Sequence, residues 1–218
     1  NSVDLLICDP PFGIKGHTLH SHYNRKEGLV IPGYNEISKI EYPGFCEKWI
    51  EQAERILRPG GSMYTVSGYN NLIDILNALK KTSLKEVNHN IWKFNFGVYT
   101  TKKYVSSHYH ILLYRKPGQF TFNTYSRFGK AEKDQKNGSL NYQDLQDVWT
   151  INREYKSGEI KNKNELPKEL VKKMIQYSSN EGDVVCDLFL GGFTTAKVAI
   201  GLNRYVVGFE LNKNSYDH

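Results

Sequence analysis

The sequence predicts an α/β fold: one doubly wound domain on a mostly parallel sheet, with an antiparallel hairpin at one edge. Three observations predict it. A short apolar run, Val3 to Cys8, ends in a carboxylate and two prolines, Asp9-Pro10-Pro11. Near the other end a second apolar run, Val184 to Phe189, enters a glycine turn, a short helical stretch and a third run that closes on Glu210. Between them, apolar residues recur at helical spacing in separate stretches. Strands that alternate with helices of this length imply βαβ units and parallel pairing.

Composition sets the class. A chain of 218 residues suffices for one domain with a sizeable core. Its 39% hydrophobic content excludes a disordered chain. No apolar run approaches a membrane span and no signal-peptide pattern opens the sequence, so no membrane partner is expected. Cys8, Cys46 and Cys186 are too scattered for a disulfide framework or a zinc site. Two of them fall in predicted buried strands as free thiols, which fits a reducing cytoplasm. A net charge of +6 favours a polyanionic partner, although a solvated basic surface has the same signature. Aromatic residues stand beside basic ones, as in Trp92-Lys93-Phe94, a pattern suited to unpaired bases and their phosphates.

The first strand delivers Asp9 to a rigid, extended corner. Each proline fixes its own φ and keeps the preceding residue out of the helical region. Phe12 follows. A carboxylate, a fixed Pro10 carbonyl and a flat ring suit a planar amine: the first two accept from an NH2 group and the ring stacks on its carrier. Asp-Pro-Pro is also a common turn, so this motif depends on its context.

Residues 16–40 read as a long loop. His17, His20 and His22 lie in it, but no carboxylate or cysteine joins them at ligand spacing, and no metal is expected. Phe45, Trp49, Ala53, Ile56 and Leu57 share a helix face, which Arg58-Pro59-Gly60-Gly61 stops. Ser62 to Ser67 is a predicted strand, and Leu72, Ile75, Leu76 and Leu79 mark the next helix. Ile91 to Phe96 and Tyr109 to Arg115 read as paired strands around a basic loop holding Lys102 and Lys103. From Lys116 to Gly138 the periodicity dissolves into a basic stretch, read either as an inserted recognition region or as a solvated loop. Leu166, Leu170, Met174 and Ile175 form a further helix face, with Pro167 in its first turn.

The last unit is a strand, a turn at Gly191-Gly192, a helix from about Thr195 and a strand ending at Glu210. Glycine lets a ligand approach the backbone, and the carboxylate at the second strand end is placed to accept from ribose hydroxyls. The turn lacks the Gly-Lys-Ser/Thr ending of a phosphate loop and the spacing of a dinucleotide fingerprint. Plain strand–helix packing gives the same outline.

Taken together, the two ends are far more specific. Over nearly its whole length the chain resembles the S-adenosylmethionine-dependent amino-methyltransferases of DNA, in the permuted order called the beta class. Residues 1–12 resemble that family's catalytic strand and D-P-P-Y/F motif. Ile56-Leu57-Arg58-Pro59-Gly60-Gly61-Ser62 is similar to its L-(K/R)-P-G-G segment. Ser107 to Leu112 resembles S-H-E-x-I-L with Tyr109 in place of Glu, and Asp187 to Thr195 resembles D-P-F-x-G-S-G-T-T. Asn164 to Leu170 stands where the family has H-P-x-x-K-P, of which only the proline is kept, and Phe193 replaces a glycine. Release-factor glutamine methyltransferases carry their cofactor motif first, mRNA adenosine methyltransferases carry D-P-P-W, and cytosine-N4 enzymes more often have Ser at the position of Asp9. The resemblance therefore implies a Rossmann-like fold and methyl transfer from S-adenosylmethionine to adenine N6 in DNA. Cytosine N4, an RNA adenosine, or a non-catalytic DNA-binding subunit are the alternatives.

It also implies roles for residues. Asp9, Pro10, Pro11 and Phe12 are the expected catalytic set. Pro167, Asp187, Phe189, Gly191, Gly192, Thr194, Thr195 and Glu210 are the expected cofactor set. Lys102, Lys103, Arg127, Lys130, Lys133 and Lys136 are expected on DNA. One domain spans 1–218: a catalytic half at 1–115, a target-recognition insertion at 116–150 and a cofactor-binding half at 151–218. The chain is expected to be clipped at both ends, with the family's contacts to the cofactor adenine past His218. DNA is the expected partner, as a duplex with a flipped base or as a single strand. A homodimer and a restriction endonuclease of the same system are further expected partners.

Overall fold

A computed structural model describes residues 2–11, 37–95, 97, 100–129, 133–134, 138–139, 143–154 and 165–213. Its centre is a seven-stranded sheet: β1 (Val3–Cys8), β2 (Leu57–Ser67), β3 (Lys85–Lys93), β4 (His108–Arg115), β7 (Val148–Thr150), β8 (Val184–Asp187) and β9 (Tyr205–Gly208). The two-residue strands β5 (Lys133–Asp134) and β6 (Gly138–Ser139) pair separately. The sheet order is β7-β3-β4-β2-β1-β8-β9. β4 runs against both of its neighbours, and every other pairing is parallel. This is the expected Rossmann-like arrangement. The antiparallel β3–β4 pair lies towards one end of the sheet, where the short β7 covers the last three residues of β3.

Helices cover both faces. On one face α1 (Tyr42–Ile56) and α2 (Leu72–Leu79) close over Leu6, Cys8, Met63 and Leu112. On the other, α3 (Lys168–Ser178) and α4 (Thr194–Gly201) cover Leu5, Ile7, Val66, Ile111 and Val185. β1 is buried on both sides, which explains its unbroken apolar run. Cys8, Cys46 and Cys186 are buried free thiols.

Several boundaries shift from the sequence expectation. α1 begins one turn earlier than expected and buries Tyr42, Cys46, Trp49, Ile50 and Ala53. Leu57 belongs to β2, which runs straight through Pro59-Gly60-Gly61. Gly60 has φ +77, and a Cβ there would lie 1.8 Å from the Gln119 carbonyl oxygen, so the crossing chain requires glycine. β3 starts at Lys85, ahead of the predicted Ile91, because its outer half alternates weakly and gains order from pairing with β4. Pro167 is the extended residue just before α3 rather than part of its first turn.

Asp4 ties three strands at the amino edge of the sheet. Its Oδ1 accepts from Arg58 Nε at the start of β2, and its Oδ2 accepts from the Val184 N–H at 2.8 Å. At the same edge Lys116 Nζ donates to the Glu54 and Leu57 carbonyls at 2.7 and 3.0 Å and so closes the end of α1.

The described residues of 116–150 are bound to α3. Asn123 N–H donates to the Tyr177 carbonyl at 2.7 Å, and the Phe122 ring stacks on Tyr177. Asp144 gathers Tyr177 Oη at 2.5 Å, Arg127 Nε at 2.9 Å and Lys173 Nζ at 3.5 Å. Lys173 also lies over the Trp149 ring and is only 5% exposed. This charge cluster fastens the segment to the helix.

Gly60→Ala combines a left-handed φ with a backbone collision. It is expected to destabilise the fold by about 2 kcal/mol or more in chemical denaturation. An unchanged midpoint would show that the crossing at Gln119 gives way.

Candidate active site

Parallel pairing brings the carboxyl ends of β1, β2, β3, β8 and β9 to one edge, the usual place for ligands in open α/β sheets. β1 and β8 are neighbours with Leu5 opposite Val185 and Leu6 opposite Cys186. Side chains alternate along a strand, so Leu5, Ile7 and Asp9 share the α3/α4 face with Val185 and Asp187. Asp9 therefore emerges beside Asp187.

Asp9 carries a buried oxygen, Oδ1, with no hydrogen-bond partner among the described residues. Burial, and then the negative charge of Asp187, push its carboxyl up to about 8, while Arg153 pulls it back. Pro10 is buried and Pro11 half-buried. Phe12 lies outside the described residues.

Asp187 is the better satisfied of the two acids. Its Oδ1 accepts from the Phe189 N–H at 2.8 Å. Burial raises it to about 6, and the Thr195 hydroxyl and that N–H oppose the rise. The Phe189 ring packs edge-on against Trp49 and tilted against Phe45, wedging the turn into the α1 face. The glycine turn is held from both sides. Glu210 Oε2 accepts from the Gly191 N–H at 2.7 Å and its Oε1 from the Asn212 N–H at 2.6 Å. Glu165 Oε1 accepts from the Thr194 hydroxyl at 2.5 Å, and a Cβ on Gly192 would lie 2.9 Å from the Glu165 Cδ. Phe193 adopts φ +63, a left-handed conformation that disfavours every side chain by about 1 kcal/mol or more.

Asp187, Gly191, Gly192, Thr194, Thr195 and Glu210 are thus brought together at the ends of β8 and β9, and Pro167 stands two residues after Glu165, before α3. Three carboxylates around a glycine turn suit a ligand that donates, through ribose hydroxyls or an ammonium, and repel a phosphate. Each bonded carboxylate oxygen keeps a second lone pair, so the acceptor set has room for such a ligand. A groove of about 420 Å³ lined by Asn123, Gln176, Asn180 and Arg204 lies at the opposite, amino edge, away from this chemistry.

The basic residues do not converge. Lys102 and Lys103 are exposed in the β3–β4 loop, on the same edge as Asp9, next to the fully exposed Tyr104. Arg127 is elsewhere and engaged: its guanidinium bonds Asp144, Gln176 and Glu169. Lys130, Lys136 and the Lys133 side chain lie outside the described residues, as do His17, His20 and His22.

Two residues at the site were not singled out from the sequence. Glu165 stands in the stretch where only Pro167 matched the family signature, and its carboxylate covers the glycine turn. Arg153 follows β7 and lies over the Phe94, Tyr109 and Trp92 rings at 4.7, 5.2 and 5.7 Å from their centroids. No local pattern marks it.

Fold and site together define an α/β domain whose candidate ligand site lies at the carboxyl edge of its sheet. A profile of the DNA methylase family matches residues 3–218, and the chain belongs to that family. It is 30% identical over 222 residues to the type II methyltransferase M.HpaI of Haemophilus parainfluenzae, covering 98% of this chain and 65% of that protein. It is 28% identical to the DNA adenine methyltransferase YhdJ of Escherichia coli K12, covering 97% of this chain and 72% of that one. Among solved structures, the M1.HpyAVI–SAM complex superposes with a TM-score of 0.65 at 19% identity, over 99% of this chain and 85% of that one. The chain thus spans about two thirds of the length of M.HpaI.

The raised Asp9 carboxyl fixes a pH dependence. Between about pH 4 and about pH 8 the folded chain keeps a proton that the unfolded chain has released, so stability falls as pH rises through that window. Asp9→Asn removes this loss. Its melting temperature relative to the wild type is expected to climb from about pH 4 to about pH 8 and then level off. A difference that is flat with pH would contradict the burial of this acid.

Proposed function

We propose that this chain is the catalytic domain of a DNA methyltransferase that uses S-adenosylmethionine and acts on adenine N6. The observation that carries the reading is the buried Oδ1 of Asp9, without a hydrogen-bond partner among the described residues, followed by two prolines and set beside an acid-rimmed glycine turn. The family membership, the adenine specificity in the name of YhdJ and the cofactor in the M1.HpyAVI complex support it.

When bound, S-adenosylmethionine supplies an electrophilic methyl group on a sulfonium. Glu210 accepts from its ribose hydroxyls, and Asp187, Gly191 and Gly192 line its path, while Thr194 and Thr195 hold the turn. In a duplex the target amine is hidden, so the base leaves the stack or is offered single-stranded. Asp9 and the Pro10 carbonyl accept from the N6 hydrogens. That keeps the nitrogen lone pair out of the ring and directs it along the line of displacement, and Phe12 stacks on the base. Alignment of this kind lowers a barrier by on the order of 7 kcal/mol. Lys102 and Lys103, with Tyr104 beside them, supply a basic and aromatic rim for the flanking strand.

Incubating the protein with plasmid and labelled cofactor, followed by nucleoside analysis, tests the assignment. N6-methyladenine is expected. N4-methylcytosine would reassign the base, and methylation of RNA alone or no product would sink the reading. Asp9→Ala is expected to lower single-turnover methylation about 100-fold or more with cofactor affinity unchanged. Glu210→Gln is expected to do the reverse, weakening cofactor binding by about 1–3 kcal/mol in calorimetry without DNA.

A separate measurement addresses the nucleic acid. Changing Lys102 and Lys103 to Gln is expected to flatten the salt dependence of DNA binding by about one unit of slope per lost phosphate contact. An unaltered slope would move the interface to another surface.

A further inference from the structure

The carboxyl edge of the sheet is divided by charge. Asp187, Glu165 and Glu210 surround the glycine turn that follows β8. Where β3 ends and β4 begins the character is opposite. The sequence holds neither Asp nor Glu from Val87 to Ala131, and Lys93, Lys102 and Lys103 are exposed there. The ends of β2 and β1 lie between these halves, in the sheet order β3-β4-β2-β1-β8-β9. A polyanion is repelled by the acid half and admitted on the basic one, with Asp9 at the border.

The basic half also carries exposed rings. Tyr104 and Tyr69 are the two most exposed aromatic side chains among the described residues, at 99% and 81%. Tyr104 follows Lys102 and Lys103 in the β3–β4 loop, and Tyr69 stands two residues past the end of β2. Ser67 at that end lies opposite His110 of β4, so the two tyrosines rise from neighbouring strand ends. Their backbones are held. Phe94 N–H donates to the Ser107 carbonyl at 2.9 Å across the base of the loop. A Cβ on Gly97 would lie 2.0 Å from Val105 Cγ1, so the two arms of the loop touch beside Tyr104. Asn71 N–H donates to the Gly68 carbonyl at 3.3 Å and closes a single turn around Tyr69.

We propose that Tyr69 and Tyr104 are stacking platforms for unpaired bases of the DNA strand that carries the target, so that this strand is held open beside Asp9. The inference rests on the reading of the Asp9 site as that of a DNA methyltransferase and adds the state of the DNA in it. Flat rings set among lysines, with no acid nearby, match a partner that has flat faces and negative charge. Every base has such a face, so stacking here is independent of sequence, while Lys102 and Lys103 take the phosphates. In an intact duplex the faces of the bases are covered by their neighbours, so the tyrosines gain contact only where the strand is unpaired.

Binding to a single strand of about 16 thymidines, and to an abasic strand with the same number of phosphates, tests the proposal. The wild type is expected to bind the thymidine strand about 10-fold or more tighter than the abasic one. Tyr69→Ala combined with Tyr104→Ala is expected to bring the two strands to equal affinity. The salt slope stays unchanged, because no phosphate contact is lost. Tyr69→Phe combined with Tyr104→Phe keeps the rings and is expected to keep the preference. Both side chains stand in solvent, so each variant is expected to melt at the wild-type temperature. A preference that survives both alanines would overturn the proposal. So would a wild type that does not distinguish the strands, or alanine variants that lose affinity equally on both with a shallower salt slope, which would make this edge a phosphate contact alone. The plasmid assay separates the two levels. N6-methyladenine there beside a failed strand preference overturns the role of the tyrosines alone, and no methylated DNA base overturns the reading of the site and this inference with it.

Discussion

The register of β1 between β2 and β8 is the constraint on which the site depends. Asp4 sets it, with one carboxylate oxygen on Arg58 of β2 and the other on the Val184 N–H of β8. Side chains alternate along a strand, so a slip of one residue would turn Asp9 from the α3/α4 face to the α1/α2 face. It would also bury Leu6 and Cys8 on the wrong side. The same hydrogen bonds that fill the core thus aim the acid. The Asp9-Pro10-Pro11 corner is thus delivered by an aspartate at the other end of the same strand.

Acid chemistry dominates the cleft. Asp9, Asp187, Glu165 and Glu210 converge on the carboxyl edge of a chain whose net charge is +6. The positive charges are placed outside, at Lys102 and Lys103 on the rim, or are neutralised in the Asp144 cluster. Among the described residues, Arg153 is a cation held inside, over the Trp92, Phe94 and Tyr109 rings. This separation lets one face attract a polyanion while the interior receives a ligand that donates hydrogen bonds.

How much of this was legible in the sequence depended on whether the cause was local. Asp9-Pro10-Pro11 and Gly191-Gly192 could be read because proline and glycine act on their own backbone. The α3 face was readable from its spacing, and Leu170, Met174 and Ile175 are fully buried. β2 was cut short because Pro59-Gly60-Gly61 reads as a stop, whereas the passing segment at Gln119 and the β1 pairing keep it extended. The pairing of Arg127 with Asp144 and Glu169 was not legible because those partners lie far along the chain. Arg153 and Glu165 escaped for the same reason: their importance comes from neighbours in space. Phe193 was visible as a departure from a glycine position, and its φ of +63 supplies the reason glycine is preferred there.

The pairing of β1 with β8 joins groups 180 residues apart in the chain. β3 and β4 are close in sequence and zip with little loop entropy, while β1 must wait for the far end. During synthesis Asp9 leaves the ribosome well before the acid-rimmed turn. A nascent chain that stops short of β8 carries the Asp9-Pro10-Pro11 corner with no acid-rimmed turn beside it. The order of folding itself thus withholds the assembled site until β8 is in place.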